Sequence, residues 1–142
     1  MSQIAFMKKF LSTAYSEFLF NLGTLILRLT TGILVCLNHG IPKITHFNEW
    51  KGTFYNLAHI GTQLSLILSI SAEVFASMFL ILGLFSRFAA LLLVIDLGVA
   101  VFIYHSSHPI SRFEDAITFF VISLFVLLVG PGKYSVDGLT GR

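Results

Sequence analysis

Charge is scarce in this chain. Of its 142 residues only 11% are Asp, Glu, Lys or Arg, whereas 56% are hydrophobic and the mean hydropathy is +0.87. Soluble domains carry about 25% charged residues, so the composition excludes an ordinary water-soluble domain and points to the membrane class. Cysteine is nearly absent too, with Cys36 alone. One cysteine excludes an intramolecular disulfide, a CxxC redox relay and a cysteine-based zinc site; its ordinary role is that of a small buried apolar residue. There is no low-complexity linker, no dinucleotide fingerprint and no haem-attachment motif. The formal charge of +2 is spread along the chain, without the basic patch that nucleic acid requires. A secretory signal peptide is not expected either. Arg28 interrupts the apolar run that follows Lys8 and Lys9, and no small-residue cleavage site comes after it, so the N-terminus is expected to be retained.

What is present are long apolar runs. A helix crosses a bilayer in about 20 residues, and the runs predict spans at about 20–38, 64–84, 88–104 and 112–129. The expected fold is all-α and integral to the membrane: an antiparallel four-transmembrane-helix bundle forming a single membrane domain over residues 1–142. Ile4, Met7, Leu11, Ala14, Tyr15 and Phe18 recur at helical spacing around Lys8 and Lys9, which predicts an interfacial helix over 1–18. Ile44, Phe47, Trp50, Phe54, Leu57 and Ala58 repeat the pattern between spans one and two and predict a second interfacial helix, or a shallow re-entrant segment, there. The Gly-Pro-Gly sequence at 130–132 ends the last span and opens a tail over 130–142. Lys8, Lys9, Arg87, Lys133 and Arg142 fall on one side, and Lys43, Lys51 and Arg112 on the other. The bias places both termini, and the tail, in the cytoplasm.

Three spans carry an ionisable residue near their middle: Arg28, Glu73 and Asp96. With alternating helix direction they reach similar depth, where an unpaired charge costs roughly 2.5–3.5 kcal/mol on insertion scales. The simplest arrangement sets Arg28 between the two carboxylates, with one carboxylate protonated because two negative charges outnumber one positive. Thr24, Arg28, Thr31, Gly32, Val35 and His39 form one stripe on the first helix, and Ser65, Ser69, Glu73, Ala76 and Ser77 another on the second. Small and hydroxylated residues let helices approach closely and hydrogen-bond across a bundle. Such a network either locks helix register or marks a site for a proton or polar ligand.

A second cluster falls at the opposite end from the termini. The first helix supplies His39 and Lys43, the third ends on His105, and the fourth opens with Arg112, Glu114 and Asp115. Acidic residues in a first turn also suit the helix dipole. Histidine titrates near neutral pH, so His39 and His105 with Glu114 are candidates for exchanging protons or holding carbonyl oxygens. No element has metal-ligand spacing, and neither metal nor haem is expected.

These residues, in this order, resemble the DoxX family of small four-span membrane proteins of bacteria and archaea. The likeness rests on LRLTTGI (Leu27–Ile33), HGIPK (His39–Lys43), AEV around Glu73, LGLFSR (Leu82–Arg87), His105, Glu114 and GPGKYSVD (Gly130–Asp137), within about Leu22 to Leu139. Asp96 lies outside those motifs. The resemblance implies a multi-pass protein of the bacterial inner membrane and leans toward redox work, since some relatives are linked to thiosulfate:quinone oxidoreductase and others to oxidative-stress complexes. The function it implies is a quinone-linked redox protein or a subunit of a membrane oxidoreductase complex. Quinone would be the cofactor, and a redox protein or a second copy the partner within the lipid bilayer. In that reading His39, His105 and Glu114 exchange protons, while Arg28, Lys43, Trp50, Glu73 and Asp96 complete the ligand site beneath the Trp50 segment. The alternatives are a small-solute or proton-coupled carrier and a non-catalytic assembly partner.

Overall fold

A computed structural model describes residues 14–141. Six α-helical elements follow one another in it: α1 (Glu17–Thr45), α2 (Phe47–Trp50), α3 (Thr62–Leu82), α4 (Ser86–Tyr104), α5 (Glu114–Val129) and α6 (Val136–Leu139). Among the described residues there is no strand. Three helices, α1, α3 and α4, are long and apolar enough to cross a membrane. The expected fourth span is shorter than predicted. Ile110–Arg112 forms a separate tight turn, and Phe113 (φ −145°, ψ 22°) interrupts the helical path, so α5 has 16 residues. At 1.5 Å per residue it spans about 24 Å, less than a hydrocarbon core of about 30 Å.

The expected interfacial helix over 1–18 falls largely outside the described residues. Its last residues belong to α1, where the Ser16 hydroxyl accepts the Leu19 N–H at 3.4 Å as an N-cap. The expected helix between spans one and two is replaced by pieces. α1 runs on to Thr45, α2 has only 4 residues, and a short turn over Leu57–His59 follows. Ala58 and His59 have φ of 48° and 60°, a left-handed path that no continuous helix accommodates.

The first span therefore ends later than the His39–Gly40 pair suggests. A wide π turn over Cys36–Gly40 offsets the hydrogen-bond ladder, and Pro42 falls at the start of the following α segment, where a missing N–H is tolerated. Gly40 does not stop the helix; it lets α1 lie against α3. A Cβ there would meet Val74 Cγ2 at 2.6 Å, and one on Gly32 would meet Ile81 Cγ1 at 2.6 Å. Two further π turns, Ala72–Ala76 in α3 and Ala100–Tyr104 in α4, give three in all among the described residues.

The buried faces follow the stripes of small and polar residues. On α1 they are Asn21, Thr24, Arg28, Thr31, Gly32 and Val35, and on α3 Ser65, Ser69, Glu73, Ala76 and Ser77. Val35, Leu80, Ala89, Ala90, Leu93 and Val126 fill the apolar core between α1, α3, α4 and α5. Large apolar side chains such as Phe75, Phe88, Phe102 and Leu128 point outward, as lipid contact requires.

Candidate functional site

The extension of α1 carries Lys43 into the bundle. Its ammonium donates to Glu73 Oε1 at 2.6 Å and to Ser69 Oγ at 2.8 Å. Both groups belong to the inward face of α3, and the Glu73 side chain is only 3% exposed. Glu73 sits in the π turn of α3 opposite Gly40, so the glycine contact fixes the spacing between the two helices. Asp96 approaches from α4, where its charge interacts with Lys43, Ser69 and Glu73. One cation and two carboxylates thus share one buried site.

This charged group forms the floor of a cavity of about 640 Å³. Its walls include Trp50, Phe54, Tyr55 and Tyr104, and its mouth His39, His105, Arg112 and Asp115. The segment between α1 and α3 covers one side. The Tyr55 ring meets Tyr104 edge-on at 5.9 Å, the Leu57 N–H donates to Ser65 Oγ at 3.0 Å, and the Thr62 hydroxyl donates to the Lys51 carbonyl at 2.6 Å. Phe54 lies against the Lys43 ammonium, 5.6 Å from ring centroid to Nζ, a cation–π contact that supports the lysine from above.

At the mouth, His39 Nε2 lies 3.3 Å from Asp115 Oδ2, and its ring meets Phe119 edge-on at 5.9 Å. His105 stacks on Phe113, centroids 5.1 Å apart and 6° from parallel, and its Nδ1 has no hydrogen-bond partner among the described residues. Partial burial, then the neighbouring His108, lower the His105 pKa from the usual histidine value, against a smaller opposing pull from Asp115.

Of the residues expected at the site, the cavity brings together His39, Lys43, Trp50, Glu73, Asp96 and His105. It does not include Arg28 or Glu114. Arg28 is wholly buried and donates instead to two backbone carbonyls, Leu80 O at 2.9 Å and Tyr134 O at 2.6 Å. The carboxylate whose charge acts on it is Asp137. The physical reason is reach: from α1 the guanidinium extends toward the end of α3 that carries Gly83, and the carboxylates expected beside it are met by Lys43. There Asp137 accepts the Phe85 and Ser86 N–H groups at 3.0 and 2.7 Å, capping α4, and Asn21 Oδ1 accepts the Lys133 N–H at 2.7 Å. Arg28 therefore helps hold the C-terminal segment against the bundle. Glu114 is exposed and points away; Asp115, one residue on, takes the place beside His39. Successive helical residues differ by about 100° in direction, so only one of the two can face the cavity.

Tyr104 is a site component that the sequence does not single out, while Ser69 and Asp115 are marked there only as members of the second-helix stripe and of an acidic first turn, without a role at the site. Asp115 has a signal in hindsight: it precedes Phe119 by four residues, on the face that continues through Ser123 and Val126. Among the described residues, no group of three or more His, Cys, Asp or Glu is arranged to hold a metal ion.

Comparison with known proteins gives one match. A family model described as DoxX covers residues 23–106, more than half of the chain, from the start of the buried α1 stripe to just past His105. It stops short of α5 and of the C-terminal segment, so Asp115 and the Arg28 partners beyond α3 lie outside it. No curated protein and no solved structure matches the chain.

Proposed function

The chain belongs to the DoxX family, and on that premise we propose that it is a quinone-linked redox protein, or the quinone-binding subunit of a membrane oxidoreductase complex. In this reading it is a multi-pass protein of the bacterial inner membrane with both termini in the cytoplasm. α5 is the fourth, shortened membrane element, and the cavity opens toward the outer leaflet. The observation that carries the reading is the position of the Lys43–Glu73–Asp96 group. Charges that serve only to fix helix register are packed on all sides, whereas these form the floor of a cavity with aromatic walls.

The residues suit a quinone head. Small-ligand sites typically enclose about 300–1,000 Å³, mostly apolar with a few converging polar groups, and this cavity falls in that range. A quinone presents two carbonyl acceptors, so its site must offer donors. Lys43, two of whose three N–H groups go to Glu73 and Ser69, supplies the remaining one from the floor, and the His105 ring supplies one from the mouth. Trp50, Phe54 and Tyr104 offer flat apolar faces for the ring. When bound, a quinone supplies two-electron, two-proton redox chemistry, with electrons exchanged through a partner redox protein. The chain itself binds and orients the head, excludes water with the Trp50 segment, and holds protons at His39 and His105. Asp115 keeps the His39 ring in place.

A carrier needs a polar route through the bundle. Below the cavity floor Val35, Leu80, Leu93 and Val126 are fully buried and close-packed beside the buried Thr31, Ser77 and Ser123; this close packing, rather than a lack of polar side chains, favours the binding reading over the carrier. The test is mass spectrometry of an organic extract of the gently purified protein. Near-stoichiometric quinone is expected; lipid alone, with no quinone retained after reconstitution in quinone-containing membranes, would overturn the reading.

A further inference from the structure

The cavity floor contains an unpaired position. Lys43 donates to Glu73 Oε1 and to Ser69 Oγ, and Asp96 lines the same floor within electrostatic reach of all three. Glu73, Lys43, Ser69 and Asp96 thus ring the floor, with the two carboxyl groups as neighbours across it. Glu73 Oε2 is buried and has no donor among the described residues. Two ionised carboxylates are acceptors only, so facing each other they repel and leave a buried lone pair unmet. One proton between them removes both faults, and the charge count agrees: one ammonium balances only one carboxylate.

We propose that Glu73 and Asp96 share a single proton, which closes the ring with Lys43 and Ser69 and makes the floor electrically neutral. The ligand class follows. A neutral floor with the third Lys43 N–H free to donate accepts an uncharged head group bearing hydrogen-bond acceptors, such as a carbonyl. Loss of the proton leaves a net negative floor that disfavours the same head group. The site is thus gated by one proton held within the protein. Only the identity of the ligand rests on the quinone reading; the shared proton stands on the residues of the floor and their charge count. The other charged or titratable groups facing the cavity are His39 and Lys43 from α1, Tyr55 from the covering segment, Tyr104 from α4, Asp115 from α5, and His105 and Arg112 at the mouth. Lys43 is part of the floor, Tyr55 and Tyr104 belong to the walls, and the rest line the mouth; a phenol has no carbonyl, so the tyrosines add nothing to the protonated-carboxyl band.

The test is infrared difference spectroscopy on ligand-free protein titrated with alkali, in H₂O and D₂O. One protonated-carboxyl carbonyl band, shifted in D₂O and lost at high pH, is expected. It should vanish in both Glu73→Gln and Asp96→Asn, because an amide N–H can then bridge the pair without a proton. Wild-type protein without such a band, or a band unchanged in both variants, would overturn the proposal. The wild-type spectrum needs no variant to fold and no quinone to bind. Affinity for a short-chain neutral quinone should weaken by up to about tenfold per pH unit above the point where the band is lost, the limit for one linked proton. If the band is present but quinone never binds, the shared proton stands and the quinone reading falls.

Discussion

Replacing Lys43 by methionine removes the one cation that touches Glu73 among the described residues. The side chains are 16% and 3% exposed, so solvent does little to compensate. Removing one member of a buried ion pair costs about 3–5 kcal/mol, because the remaining charge keeps its desolvation penalty and loses its partner. Here the orphaned carboxylate faces a second one, Asp96. Protonation is the available relief, at about 1.4 kcal/mol per pH unit, so the loss should shrink as pH falls. Converting both carboxyl groups to amides in the same molecule, Glu73→Gln with Asp96→Asn, removes the orphaned charge and leaves amides that can donate to one another. Lys43→Met combined with this amide pair should therefore recover most of the stability lost by Lys43→Met alone. The assay is a thermodynamic cycle, with the amide pair as one perturbation, by thermal unfolding in detergent, followed by circular dichroism at two pH values. Strictly additive losses, or a Lys43→Met variant as stable as wild type at both pH values, would refute the buried pair.

Other expectations concern the remaining contacts. Arg28→Met should cost about 2–4 kcal/mol through two lost charge-assisted hydrogen bonds, partly offset by removing a buried charge. Limited proteolysis should then cut residues 130–141 faster while quinone binding persists; lost binding with a protected tail would place Arg28 at the site instead. Gly40→Val should be destabilising by about 1–3 kcal/mol from overpacking against Val74, whereas Gly52→Ala, with nothing within 4 Å, should be neutral in the same unfolding assay. His105 titrates below the ordinary histidine value, so the unfolded chain takes up this proton first as pH drops. Its contribution is present above the unfolded pKa and is lost as pH falls from there toward the lower folded value. His105→Phe should flatten the pH dependence of the melting temperature in that window, and an unchanged profile would remove His105 as its source.

Much of this architecture is legible in the sequence because it follows from periodicity. The stripes on α1 and α3 mark their buried faces, and Glu73 and Asp96 reach common depth by helix length alone. Which cation meets them is not legible in the same way. Arg28 lies nearer the middle of its apolar run, and the His39–Gly40–Pro42 sequence reads as a helix end. A π turn reverses that reading, because it absorbs one residue of the ladder and lets Lys43 continue on the inner side. Such a turn has no strong sequence signature. Glu114 against Asp115 is a question of helix phase, settled by where Phe113 breaks the path. The C-terminal clasp depends on contacts more than a hundred residues apart, such as Arg28 to Tyr134, which no local pattern reports.

Trp50 is the only tryptophan of the chain and lines the cavity, so its fluorescence reads the proposed site directly. Quinones quench indole emission on contact. Titrating a short-chain ubiquinone analogue into wild-type protein and into Ala72→Phe, which fills the cavity wall, separates binding from random collision. The expected result is saturable quenching in wild type, with affinity weakened about tenfold or more in Ala72→Phe, a difference of about 1.4 kcal/mol or more. Linear, unsaturable quenching of equal slope in both proteins would contradict a quinone site in this cavity.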